Sequence, residues 1–198
     1  MKVKINKLQK IILASTSPRR KELFEKFRIP FLIEAPDYEE DMTLKMPPVK
    51  LVKVLSAGKA MAVANKHKEG IIIGADTFVV FNNQLFGKPK NKLEAKKMLE
   101  KLSGKRVDIL TGLTIIDLDL KKKISVTDIA KVYIKKLSGK EIDNYIASGE
   151  PMDKAGAFAI QGLGAVIIRK VEGDFMSIMG LPLFILSKQL KKLGINVL

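Results

Sequence analysis

Four stretches of this chain hold residue types that could do chemistry. The first is Ser15-Thr16-Ser17-Pro18-Arg19-Arg20. Ser17 suits an N-cap and Pro18 the first helical position, so both arginines fall in a first helical turn. Cations there oppose the helix dipole by about 0.3–1 kcal/mol each. Their presence makes sense where an anion lies between the guanidinium groups and the free N–H groups. The bland alternative is a solvated basic helix start. The second stretch, Ile71-Ile72-Ile73-Gly74-Ala75-Asp76-Thr77, interrupts an apolar strand with a carboxylate. Burying it unpaired is expensive, so Asp76 is expected to pair with a cation, bind a metal or act as a base; otherwise it caps a turn at the strand end. The third comprises Lys59, among the small residues of Ser56-Ala57-Gly58-Lys59-Ala60, and Lys88 in Gly87-Lys88-Pro89. Taken singly, each is a surface charge in a chain with 31 lysines. The fourth runs from Asp153 to Gly164, where glycines and small residues let backbone approach a ligand and Gln161 can offer a base edge both a donor and an acceptor.

These residues need elements to hold them. Ile11 to Ala14 reads as a short buried strand, and a helix runs from Pro18 to about Arg28 with Leu23, Phe24 and Phe27 on one stripe. Phe31-Leu32-Ile33 is a second strand, leading into the acidic loop Asp37-Tyr38-Glu39-Glu40-Asp41. A long helix follows Pro47-Pro48 to about His67, and Gly70 ends it. Ile71 to Phe81 is the strongest strand, closed by the hairpin signal Asn82-Asn83. A helix over about 93–102 precedes strands at 107–117 and 124–134, joined by a Lys-rich turn at 121–123. Ser138 and Glu141 form a capping box opening a helix to about Ala147. A strand at 165–170 and a helix after Pro182 complete the chain, and His67 is expected to face solvent. Strands alternate with helices but hairpins intrude, so the class is α/β with a mixed sheet. No linker or repeat divides the chain, and residues 1–198 are expected to form one domain.

Composition removes several chemistries. The 198 residues hold no Cys and one His, which excludes a disulfide framework, a thiolate zinc site and a cysteine nucleophile, and argues against Ser-His-Asp catalysis. Hydrophobic content of 46% excludes a disordered chain despite a net charge of +15. That charge attracts an anionic partner, whether nucleic acid, membrane surface or a phosphorylated small molecule. Lysine suits a solvated surface better than bidentate phosphate recognition, and only five arginines are present. The apolar runs are too short for a signal-peptide core or a bilayer span, so a cytoplasmic location is expected.

The chain resembles the Maf family of nucleoside triphosphate pyrophosphatases, whose name comes from a proposed link to septum formation. The resemblance extends over nearly the whole length. It rests on Leu13-Ala14-Ser15-Thr16-Ser17-Pro18-Arg19-Arg20, Gly74-Ala75-Asp76-Thr77, Gly87-Lys88-Pro89, Asp153-Lys154-Ala155-Gly156 and Gly180-Leu181-Pro182-Leu183, in this order and spacing. It implies hydrolysis between the α and β phosphorus atoms, giving a monophosphate and pyrophosphate. By the same resemblance Asp76 is the proton acceptor, Arg19, Thr77 and Gln161 govern substrate choice, and Ser15, Arg20, Glu40, Lys59 and Lys88 line the site. Gly-Ala-Asp-Thr and Ile-Gln-Gly resemble the dTTP/UTP branch, whereas the 7-methyl-GTP branch tends to carry Gly-Ser-Asp-Gln and a Glu in place of the Gln. Gly87 departs from the first branch, which often has Glu there, and Glu39-Glu40-Asp41 departs from the usual Asp-Glu.

The physical reading agrees. A triphosphate carries roughly four negative charges, and its transfer depends on charge stabilisation and positioning. Arg19, Arg20, Lys59 and Lys88 supply cations, while Asp76 and Glu40 are carboxylates available to hold Mg²⁺ or Mn²⁺. The resemblance also implies the elongated mixed α/β architecture of inosine triphosphate pyrophosphatases, with two lobes around a cleft and often a homodimer. The alternatives are the 7-methyl-GTP branch and a non-catalytic nucleic-acid-binding or septum-regulating protein. Against the last, the chain has twelve aromatics, mostly in apolar runs, and no recognised nucleic-acid module. The expected partner is the nucleotide, with no specific nucleic acid and no membrane.

Overall fold

β-branched and aliphatic runs build one open, mixed sheet of seven strands: Ile11–Ala14 (β1), Leu32–Glu34 (β2), Ile71–Phe81 (β3), Gln84–Phe86 (β4), Arg106–Asp117 (β5), Lys122–Ile134 (β6) and Ile168–Glu172 (β7). The computed structural model describes residues 9–41 and 44–198. Strand order is β2-β1-β3-β5-β6-β7, with β4 also beside β3. β1 runs parallel to β2 and β3, and the remaining pairings are antiparallel. The helices are Pro18–Glu25 (α1), Pro48–Ala64 (α2), Lys92–Leu102 (α3), Gly139–Ala147 (α4), Phe175–Ile178 (α5) and Leu183–Lys192 (α6).

Alternation along β3 sorts its side chains between two faces. Ile72 packs on Ala60 and Val63 of α2, and Phe78 and Val80 pack on Leu51, Val52 and Leu55 of the same helix. The opposite face carries two cores. At one end Ile71, Ile73 and Ala75 meet Leu23 and Phe24 of α1 and Leu186 and Leu190 of α6. At the other Val79 and Ile109 meet Leu99 and Leu102 of α3 and Ile142 and Ile146 of α4. Each fully buried side chain of this kind contributes about 1.5–3 kcal/mol relative to exposure.

Between the two cores the sheet has a gap on one side of β3. β1 pairs with β3 only over Ile71–Gly74, and β4 only over Val79–Phe81. Residues 75–78 therefore have β5 on one side and no strand on the other. Asp76 and Thr77 lie in that gap, where β1 ends and the chain turns into α1.

The expected turn at Asn82-Asn83 is present, with both residues left-handed (φ 50° and 59°) as a tight hairpin requires. The capping box is also present. Ser138 Oγ accepts from Glu141 N at 3.3 Å, and Glu141 Oε2 accepts from Ser138 N at 2.8 Å. The Lys135 ammonium, followed by the Ser138 groups, holds the Glu141 carboxyl down to about 2. A depressed folded value stabilises above the unfolded value of 4.5, and that contribution is lost as pH falls towards about 2. Ser138→Ala should cost about 0.5–2 kcal/mol, and Glu141→Gln should flatten the acid-side loss of stability. Denaturant titrations at stepped pH measure both.

Several expectations are corrected. The segment 165–170 is not one strand: residues 162–167 form a 3₁₀ turn and the strand starts at Ile168. The N–H groups of Leu163 and Gly164 go to the Glu150 carboxylate rather than to a neighbouring strand. α1 ends at Glu25, because the N–H groups of Lys26 to Arg28 bond three residues back and Arg28 turns left-handed (φ 54°). α2 ends at Ala64, so Gly70 begins the approach to β3 instead of stopping the helix. Lys122 and Lys123 belong to β6, and the turn before them is held by Asp117 Oδ1 on Leu120 N at 2.9 Å. His67 is not a solvent-facing ring: it is partly buried, with Nε2 2.7 Å from Glu34 Oε2.

Candidate functional site

The gap in β3 opens into a cleft of about 1000 Å³ whose walls come from both cores. Ser15, Arg19, Arg20, Glu40, Lys59, Asp76, Thr77, Lys88 and Gln161, the residues selected from sequence, all line it. Their grouping follows from the elements. Ser17 is the N-cap of α1 and Pro18 its first residue, as expected, but the Ser17 side chain makes no capping bond. Ser15 serves instead, its Oγ accepting from Ser17 N at 3.1 Å.

The two arginines then diverge. Arg20 is packed inward, donating from Nε to Gly180 O at 2.9 Å. Burial pulls its guanidinium below the usual value, with Asp76 and Glu40 opposing that shift. Arg19 crosses the cleft towards Asp153, donating from Nη2 to its backbone oxygen at 3.2 Å. Lys88 is exposed on the same wall and helps hold the Asp153 carboxyl low; burial raises that carboxyl, but Lys154, Arg19 and Lys88 outweigh it.

Asp76 faces α2, and from that helix Lys59 reaches both it and Glu40. Lys59 Nζ lies 2.7 Å from Glu40 Oε1 and also binds Asp76 Oδ1. Asp76 is only 4% exposed, and its Oδ2 is buried with no hydrogen-bond partner. Burial pushes its carboxyl above the ordinary carboxylate value, while Lys59 and Arg20 pull the other way. Thr77 faces the opposite side, its Oγ1 3.0 Å from Thr111 Oγ1. Thr111 commits its own hydroxyl proton to Ser177 O at 2.8 Å, so Thr77 must donate to Thr111. Thr77 therefore offers the cleft lone pairs only.

Tyr38 and Glu150 also line the cleft and were not singled out from sequence, and Lys154, marked only as part of the Asp153 to Gly164 stretch, joins them. Tyr38 lies over Gly58, where a Cβ would fall 2.6 Å from its hydroxyl oxygen, and this seats the acidic loop beside Lys59. Burial, then the charges of Glu40 and Asp76, raises the Tyr38 hydroxyl above its usual value. An aromatic within an acidic loop and a glycine before a lysine were the available signals. Lys154 pairs with Asp153 and adds a fifth cation to the cleft.

Among the described residues no cluster of three or more His, Cys, Asp or Glu could hold a metal ion alone. Two carboxylates do face one another across Lys59, and one buried oxygen of Asp76 is unpartnered. That donor set suits a hard divalent cation, which takes one or two carboxylates and completes its shell from water and substrate phosphates.

The model of the family described as "Maf-like protein" matches residues 10–193. The chain belongs to the Maf family. Its relatives include a protein of Methanosarcina barkeri, 49% identical over 96% of this chain and 97% of the relative, and one of Bacillus anthracis, 43% identical over 96% and 98%. Both bear the name dTTP/UTP pyrophosphatase. The Maf fold seen here is shared with the Ham1 protein of Staphylococcus aureus, at a TM-score of 0.52 and 14% identity over 93% of this chain and 99% of that one. No helix among the described residues of this Maf protein is long and apolar enough to cross a membrane.

Proposed function

We propose that this protein hydrolyses nucleoside triphosphates, dTTP and UTP foremost, to the monophosphate and pyrophosphate. The observation that carries the reading is Asp76. It is a buried carboxylate with one oxygen on Lys59 and the other unpartnered, set in a cleft lined by Arg19, Arg20, Lys59, Lys88 and Lys154. The names of the relatives support the choice of nucleotides.

The cations and the α1 N-terminus bind and orient the triphosphate. Water adds across the α–β anhydride: its oxygen ends on one phosphorus and the bridging oxygen leaves on the other. Asp76 Oδ2, the oxygen left free by Lys59, takes the water proton. Glu40 and Asp76 would hold Mg²⁺ or Mn²⁺, which supplies Lewis-acid polarisation of the phosphate oxygens. Gln161, on the loop that follows Phe158, and Thr77, with its lone pairs, read the base. The reaction belongs in the cytoplasm, where nucleoside triphosphates are made and used.

Pyrophosphate release should be assayed on a panel of canonical nucleoside triphosphates and 7-methyl-GTP, with Mg²⁺, with Mn²⁺ and with a chelator. The expected result is turnover led by dTTP and UTP that the chelator abolishes. A preference for 7-methyl-GTP assigns the protein to the sister branch, and absence of turnover throughout overturns the enzyme reading.

A further inference from the structure

Glu150 is a carboxylate at the cleft for which the proton transfer and the triphosphate contacts above have no use. It opens the short turn after α4, following left-handed Gly149 (φ 77°), and its side chain turns back towards the 158–164 loop. Its Oε1 accepts from the Tyr145 hydroxyl at 2.9 Å and from Gly164 N at 2.8 Å, and its Oε2 accepts from Leu163 N at 2.9 Å. The Tyr145 hydroxyl in turn accepts from Ala159 N at 3.1 Å. One side chain from α4 and one from the turn that follows it therefore hold three backbone N–H groups of one loop. They grip it on both sides of Gln161, whose own side chain makes no capping bond.

The loop sequence fits this grip closely. Gly162 is left-handed (φ 64°), and a Cβ there would run into the Glu150 carboxylate. A Cβ at Gly164 would lie 2.5 Å from both Ala159 O and the Tyr145 hydroxyl oxygen. Burial raises the Glu150 carboxyl, but the N–H groups of Gly164 and Leu163 and the Tyr145 hydroxyl outweigh it, keeping the group charged. Tyr145 is 3% exposed within the α4 core, so the anchor itself is rigid.

We propose that Glu150 is a positioning residue for nucleotide choice: with Tyr145, it fixes the loop that presents Gln161 to the base. This rests on the pyrophosphatase reading. A carboxylate can accept from all three donors at once, whereas an amide would turn an NH₂ towards one of the backbone N–H groups. Glu150→Gln should therefore loosen the loop while preserving size.

The test compares wild type, Glu150→Gln, Gln161→Ala and the double variant, with kinetics on dTTP, UTP and ATP and competition by inorganic tripolyphosphate, which has no base. For Glu150→Gln the KM for dTTP and UTP should rise roughly tenfold and the preference over ATP should narrow. Tripolyphosphate affinity should fall much less, and in the Gln161→Ala background the substitution should add little. Tyr145→Phe, which keeps the ring and removes the hydroxyl, should act in the same direction and stands in if Glu150→Gln fails to fold. Equal losses for nucleotide and tripolyphosphate, or full additivity with Gln161→Ala, would overturn the proposal. Wild type that turns over no nucleoside triphosphate overturns the pyrophosphatase reading itself.

Discussion

Asp76→Asn should cost about 10²–10⁴-fold in kcat, the range associated with losing a positioned acid–base group. The substitution is nearly isosteric and keeps an oxygen for Lys59, but it removes both the proton-accepting capacity and the negative charge that faces Lys59 and Arg20. The pH dependence gives a second reading of the same group. Burial raises the Asp76 carboxyl in the metal-free protein, and the acid limb of kcat/KM that this group sets should vanish in the residual activity of the variant. Lys59 is the foremost influence pulling that carboxyl down, so Lys59→Met should move the limb further up while also lowering activity. Stability runs the opposite way. A carboxyl raised in the folded state holds its proton to higher pH than the unfolded chain does, so its contribution declines as pH climbs from 3.8 through the folded value. Asp76→Asn removes that term, and the variant should melt no lower than wild type at neutral pH. Loss of turnover with an intact melt is the expected pair. An Asp76→Asn enzyme within a few-fold of wild type would take the proton-acceptor role away from this residue.

What could be read from the sequence was what neighbouring residues determine. The strand 71–81, the Asn82-Asn83 turn and the Ser138/Glu141 box depend on residues a few positions apart, and the structure has them at those positions. The cation pair at the start of α1 was legible for the same reason, although Ser15 rather than Ser17 supplies the capping oxygen. Contacts made across the fold were not legible locally. Residues 165–167 look like strand because they are apolar and β-branched in part, but Glu150, from the turn after α4, takes their neighbours' N–H groups. His67 looked solvated at a polar helix end, and only the arrival of β2 brings Glu34 to it. Lys59 and Asp76 were each marked as candidates, yet their ion pair depends on how closely α2 can approach the sheet. That closeness is set by glycines.

Gly112→Ala is therefore expected to be among the most damaging single-methyl additions in the molecule. Gly112 sits on β5 directly opposite Asp76, on the face that α2 covers. A Cβ there would overlap the Val52 carbonyl, 2.7 Å from its carbon, and would lie 3.0 Å from Ser56 Oγ. Gly74 makes the same close approach on β3, where a Cβ would be 2.5 Å from Ser56 O. Backbone oxygens cannot swing aside, so the whole helix must lift. α2 is also tied down by Ser56 Oγ to Thr114 Oγ1 at 2.9 Å and by Thr127 Oγ1 donating to Val49 O at 3.2 Å, and lifting strains both bonds. Overpacking of this kind costs about 1–3 kcal/mol; with backbone as the obstacle the upper end applies, equivalent to a fall in Tm of roughly 6–12 °C at this chain length. Lys59 rides on the same helix, two turns beyond Val52, so lifting draws its ammonium away from Asp76 and Glu40. A displacement near 1 Å is worth about 10²-fold in rate, and kcat/KM should fall accordingly even below the melting transition. Gly139→Ala is the matched control: a Cβ at that first position of α4 meets nothing within 4 Å, and the change should stabilise by about 0.4–1 kcal/mol with activity unaltered. Thermal melts and dTTP kinetics on the two variants settle the matter. If Gly112→Ala melts with wild type and keeps its turnover, α2 yields without cost and the close approach does not hold Lys59 in place.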